Sequence, residues 1–194
     1  MKKINSAFLL LLSTNALARE NALEFEPNTE HPFGRPNPAA PKELSQFAFM
    51  IGNNNCTEKR RTPGSDNWVE SKRTWDAHYA LNGMAIMDSG RSGNSTNGNI
   101  RAFDTATGLW HVTFFSMPIY GSGVWKGKVE DGKIVLKQPQ KAPGTDFDGI
   151  SKLTFSNISN QGFNWNAEWI SEDGSVVYSF WEIRCKKSTD EQKK

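Results

Sequence analysis

The feature that most constrains this chain is a series of about ten short segments, rich in β-branched and aromatic residues and bounded by turn signals. The pattern predicts strands over Cys56–Arg61, Trp68–Ala80, Met84–Gly90, Asn99–Asp104, Leu109–Met117, Gly123–Glu130, Lys133–Gln138, Gly149–Asn157, Phe163–Ser171 and Val176–Lys186. Pro63-Gly64, Leu81-Asn82-Gly83, Asp104 to Gly108 and Asn160-Gln161-Gly162 punctuate the series. Asp131-Gly132 and Asp173-Gly174 are hairpin dipeptides, because both residue types tolerate positive φ. The segment Phe163–Ser171 alternates Phe163, Trp165, Ala167 and Trp169 against Asn164, Asn166 and Glu168, which is one buried and one wet face. Leu109–Met117 and Val176–Arg184 carry apolar groups on both faces, as expected where a leader or helix packs outside a barrel, or at an oligomer face. No long helical periodicity interrupts the strands, which argues against a parallel βαβ architecture. Sequential antiparallel strands in this number remove their edges best by closing. The expected fold is all-β: one antiparallel up-and-down β-barrel of about ten strands with a short N-terminal helix.

The rest of the chain frames this domain. Lys2 and Lys3, the apolar stretch Ala7 to Leu12 and Ala16-Leu17-Ala18 read as a secretory signal peptide, residues 1–18, cut after Ala18. An amphipathic helix is the alternative. Residues 19–43 hold five of the nine prolines, Pro27, Pro32, Pro36, Pro38 and Pro41, which block helix and sheet ladders. They form either an extended leader along the domain or a disordered tail. Leu44, Phe47 and Phe49 or Met50 stand at near-helical spacing before Gly52. The barrel domain is expected over 44–187, and residues 188–194 form a polar tail.

A periplasmic or secreted location makes a bridge between Cys56 and Cys185 the favoured reading of these two cysteines, with two buried free thiols as the alternative. The formal charge of +2 falls to zero once Lys2 and Lys3 are removed, from 21 basic and 21 acidic residues. Such balance gives no reason to expect a nucleic-acid partner. No apolar run reaches the ~18 residues of a membrane span. Two cysteines rule out a four-cysteine metal cluster, and a two-Cys, two-His site fits no zinc-finger spacing.

A family resemblance rests on the order of several motifs. They are the apolar helix running into Ile51-Gly52, Leu81-Asn82-Gly83-Met84-Ala85-Ile86-Met87-Asp88, Asn99-Ile100-Arg101-Ala102-Phe103-Asp104 and Gly108-Leu109-Trp110. Gly-Val-Trp-Lys-Gly at 123–127, Phe163-Asn164-Trp165 and Ser171-Glu172-Asp173-Gly174 complete it. Over roughly residues 44–186 the chain resembles bacterial calycin-like proteins of unknown function, whose domain is similar to lipocalins and fatty-acid-binding proteins. The resemblance implies a barrel with an interior cavity, commonly holding one small apolar ligand. Some relatives are similar to haem-binding nitrobindins and others to barrel-shaped cyclases. Two departures stand out. Asn54 occupies the place where the family carries a Trp that plugs the barrel base, and no His follows His111 to serve as a proximal haem ligand. No cofactor is therefore expected.

The seven tryptophans, Trp68, Trp75, Trp110, Trp125, Trp165, Trp169 and Trp181, are either a pocket lining or ordinary core. Arg101, Trp110, His111, Trp125, Trp165, Trp169 and Tyr178 are the candidate ligand-binding residues, for a small hydrophobic ligand. Arg101, Asp88, Tyr178 and Glu182 would orient a ligand if they face inward, and an isomerase or cyclase would need a convergent pair such as Arg101 with Glu182. His78 and His31 have bland readings as strand-end and solvated residues, and Asp146 and Asp148 lie in a loop. Ser89 to Asn99, with three glycines, reads as a flexible hairpin or mouth loop, because no helix or Lys-Ser/Thr follows to cradle phosphate. No catalytic constellation is evident. A filled-core interaction module remains the third reading.

Overall fold

The computed structural model describes residues 24–62, 64–142 and 144–188. The expected signal peptide, the first residues of the leader, Pro63 and all but Ser188 of the polar tail lie outside them. The strands are β1 (Asn54–Arg61), β2 (Trp68–Ala80), β3 (Ala85–Ser92), β4 (Ser95–Asp104), β5 (Leu109–Met117), β6 (Gly121–Glu130), β7 (Lys133–Pro139), β8 (Gly149–Ser159), β9 (Gly162–Ser171) and β10 (Val177–Lys187). Each pairs antiparallel with its sequence neighbour, and β1 pairs with β10 from Asn54 opposite Lys187 to Arg60 opposite Trp181. The sheet is a closed barrel and leaves no edge to protect. Asp131 and Gly132 close the β6–β7 hairpin with φ of 49° and 72°, the paired positive angles that the Asp-Gly dipeptide favours.

Cys56 lies directly opposite Cys185 in the β1–β10 ladder, and the two form a buried disulfide. The bridge fastens the seam where the barrel closes.

One end of the barrel is stoppered. A 3-10 helix (Lys42–Met50) buries Leu44, Phe47 and Met50. Their spacing of three matches the three residues per turn of that helix, so all three fall on one line. Phe47 meets Trp110 edge-on at 4.7 Å and Phe155 at 5.3 Å. Asn54 takes no part in filling the base. Buried, it ties the helix exit to β2, its Nδ2 donating to the Met50 and Trp75 carbonyls at 2.9 and 2.8 Å. The stopper is made by the helix side chains Leu44, Phe47 and Met50.

Residues 24–41 run across the same end. Tyr79 N–H donates to the Phe33 carbonyl at 2.8 Å and Asn37 N–H to the Gly83 carbonyl at 3.1 Å. A Cβ on Gly83 would stand 2.5 Å from the Arg35 carbonyl, so this turn is glycine because the leader lies against it.

Of the two readings of the Ser89–Asn99 segment, the structure shows the hairpin and not the mouth loop, with the paired strands reaching further into the segment than its composition predicts. β3 continues to Ser92 and β4 resumes at Ser95, leaving a two-residue turn. Pairing with β2 and β5 on either side overrides the weak strand preference of Gly, Ser and Asn.

Candidate functional site

Period-two alternation sends one face of every strand into the barrel. Toward the end opposite the helix, these inward positions are Arg73 and Trp75 on β2, Asn97, Asn99 and Arg101 on β4, Val112 and Phe114 on β5, Trp125 on β6 and Trp165 on β9. A bulge in β10 between Ser179 and Trp181 departs from that alternation, so Phe180 and Trp181 both reach inside. The side chains do not fill this half. They enclose a cavity of about 190 Å³. Above it a wider space of about 920 Å³ opens at the mouth, lined by Arg61, Val69, Trp169 and Tyr178 with Thr62, Gly64, Ser65 and Asp66. Phe180 and Trp181 wall both spaces, so they form the neck between them.

Two buried ion-pair networks stand beside the cavity. Asp88 on β3 accepts hydrogen bonds from Trp75 Nε1, Asn99 Nδ2 and Arg101 Nε, each at 2.7 Å. The Arg101 guanidinium also lies over the rings of Phe47 and Phe155, at 4.8 and 5.3 Å. The second network centres on Glu58 of β1. It accepts from Arg73 at 3.1 Å, Ser71 at 3.0 Å and Trp181 Nε1 at 3.0 Å, and from Ser92. Burial alone would raise the Glu58 pKa. The Ser92 and Ser71 hydrogen bonds and the charges of Arg60 and Arg73 outweigh it and hold the carboxyl below its ordinary 4.5. Burial likewise lowers the Arg73 pKa from its ordinary value, opposed by the Glu58 charge. A Cβ on Gly90 would stand 2.0 Å from Arg73 Nη2, so that strand position is bare because the guanidinium lies across it.

The sequence candidates separate into three places. Arg101, Trp125 and Trp165 line the inner cavity. Trp169 and Tyr178 line the mouth; Trp169 Nε1 is held by the Gln140 carbonyl at 2.9 Å and Tyr178 lies under Arg61 at 4.5 Å. Trp110 and His111 belong to neither space. Trp110 is fully buried among the stopper rings, with Nε1 donating to Gln46 Oε1 at 2.9 Å. His111 points the other way from Trp110 and Val112 along β5, onto the outer face, where Nε2 is 3.8 Å from Asp104. Glu182 also lies outside, opposite Lys59 of β1, so the carboxylate that meets Arg101 is Asp88.

Sequence reasoning missed Arg73, Asn97, Asn99, Phe114, Phe180 and Ser151 as cavity residues. The signal for two of them was present: Asn97, Asn99, Arg101 and Phe103 recur at period two, hidden by reading the first part as loop. Phe180 could not be found this way, since a bulge shifts its face.

The lining is mostly apolar, with seven aromatic residues, and both guanidinium groups and two of its amides lie on the β2 and β4 side. It can enclose a compact ring and hydrogen-bond a polar substituent. Among the described residues no group of three or more His, Cys, Asp or Glu is placed to hold a metal ion. No helix is long and apolar enough to cross a membrane, also among those residues. No family model matches the chain, and no curated protein is significantly similar to it.

Proposed function

We propose that this protein is an exported binder of one small, compact, largely apolar molecule, held inside the barrel without chemical conversion. The observation that carries the reading is the aromatic cavity of about 190 Å³ lying directly below an open mouth. A dry cavity of roughly 150 Å³ lined by apolar side chains accepts benzene, so this one suits roughly eight to ten non-hydrogen atoms. A long-chain fatty acid exceeds it, which narrows the ligand class suggested by the likeness to lipocalins and fatty-acid-binding proteins. The likeness to calycin-like proteins stays part of this proposal, and the closed up-and-down barrel supports it. Export to the periplasm or medium is supported by the disulfide and by the basic, apolar and Ala-Leu-Ala start of the chain. An enzymatic role has less support, because Asp88 is held by Arg101 Nε, Trp75 and Asn99, and among the described residues no convergent acid and base line the cavity.

Tryptophan emission tests the reading, since Trp75, Trp125, Trp165 and Trp181 border the cavity. Titration with cumene should quench the emission and raise the melting temperature. Ala167, fully buried on the cavity wall, gives the control. Ala167→Met fills the space and should weaken binding by about tenfold or more while leaving the barrel folded. Absence of binding by wild type across small aromatics would remove the proposal.

A further inference from the structure

The polar side of the cavity states what kind of group its ligand carries. Arg73 is almost wholly buried, and its Nε–H has no hydrogen-bond partner. Its other nitrogens are used, Nη1 on Glu58 and Nη2 on Asn97 Oδ1 at 2.8 Å. Arg101 donates Nε–H to Asp88, and its two terminal amino groups meet no acceptor among the described residues, only the faces of Phe47 and Phe155. Asn97 has spent its oxygen on Arg73, which leaves its amide N–H groups as further donors. On the acceptor side stands Asn99 Oδ1, since Asn99 Nδ2 is spent on Asp88. Arg73 Nε is closed off from the space, but the terminal N–H groups of Arg101 and the Asn97 amide leave the wall with more unspent donors than acceptors, and a guest that covers them without accepting binds at a cost. A guest that accepts hydrogen bonds would satisfy them.

The charges decide between a neutral and an anionic guest. Two buried cations, Arg73 and Arg101, face two buried anions, Glu58 and Asp88, at 3.1 and 2.7 Å. Arg60, the third cation near Glu58, has its side chain half exposed and reaches solvent at the mouth. A carboxylate brought into this space would lose its water and find each inner cation already neutralised. A carbonyl oxygen loses much less on entering and still takes the free N–H groups.

Resting on the cavity reading above, the geometry points to a neutral aromatic carbonyl compound as the ligand: a single ring among the tryptophans, its carbonyl oxygen accepting from the terminal guanidinium N–H groups of Arg101. The ring occupies the apolar wall of Phe114, Trp125 and Trp165, and the carbonyl faces β2 and β4.

Four near-isosteric probes test this on the wild-type protein: acetophenone, benzamide, benzoate and cumene, by equilibrium dialysis at neutral pH. Acetophenone and benzamide should bind about tenfold or more tighter than cumene, the worth of one hydrogen bond to a charged donor. Both should also exceed benzoate by at least about tenfold. The carbonyl stretch of bound ¹³C-labelled acetophenone should fall below its frequency in hexane. Cumene binding as tightly as acetophenone, or a hexane-like stretch, overturns the donor assignment. Benzoate binding tightest overturns the neutral class. In each of these cases the cavity reading survives; binding by none of the four removes that reading as well.

Discussion

Glu58 shows how a charged residue comes to be a structural element of a barrel interior. Its carboxylate is buried and yet accepts from two serines, an indole and two guanidinium groups. Because these partners hold its pKa below 4.5, the ionised form is the one the fold selects. The sign of the pH dependence follows: the folded pKa lies below the unfolded one, so the stabilisation is complete above about pH 4.5 and is lost as pH falls through the folded value. Glu58→Gln leaves Arg73 buried against a neutral partner and should cost about 3–5 kcal/mol at neutral pH. Urea unfolding of both proteins from pH 7 to 3 measures it. The gap between them should shrink as the wild-type carboxyl protonates, and a constant gap would show that the ionised form is not the stabilising one.

The elements bear their load unevenly, and the first and last strands matter most. β1 and β10 meet only at the closure, and the Cys56–Cys185 bridge spans a separation of 129 residues across it. In the chain-entropy picture a loop of that length is worth about 4–5 kcal/mol. The double variant Cys56→Ala, Cys185→Ala should lose that amount in urea unfolding and become indifferent to dithiothreitol, while wild type is weakened by it. A wild type whose stability ignores the reductant would place the strength of the seam in the ladder alone. These elements also show what could be read in advance. The alternation of Phe163 through Trp169 and the Asp-Gly turns are local, so strand positions and closure followed from them. Two things were not local. The polar run Ser89 to Asn99 becomes strand only because neighbours on both sides pair with it. Which of Trp110, Trp125, Trp165 and Trp169 surrounds empty space depends on how far the helix rings reach into the barrel, and no pattern within a single strand records that.

At the scale of the whole molecule the barrel is a vessel filled from one end. The helix rings and the leader occupy the base, the ion pairs brace the middle, and the remaining volume of about 190 Å³ lies under the mouth. That ordering sets a size limit that no single residue imposes. In a series of alkylbenzenes each added methylene buries more apolar surface, worth about 0.8 kcal/mol or roughly a fourfold gain in affinity. The gain must stop once the inner volume is full, at roughly eight to ten non-hydrogen atoms. Beyond that length the chain has to pass the neck at Phe180 and Trp181 and lie in the wide, solvent-filled mouth, where little further surface is removed from water. Isothermal titration along the series should therefore give a rising line that breaks near propylbenzene and then flattens or falls. Affinity climbing without a break to dodecylbenzene would mean that the stopper yields and the whole barrel serves as the pocket. In that case Phe47 would have to leave Trp110 and Phe155, and longer ligands would lose the added melting temperature that shorter ones confer.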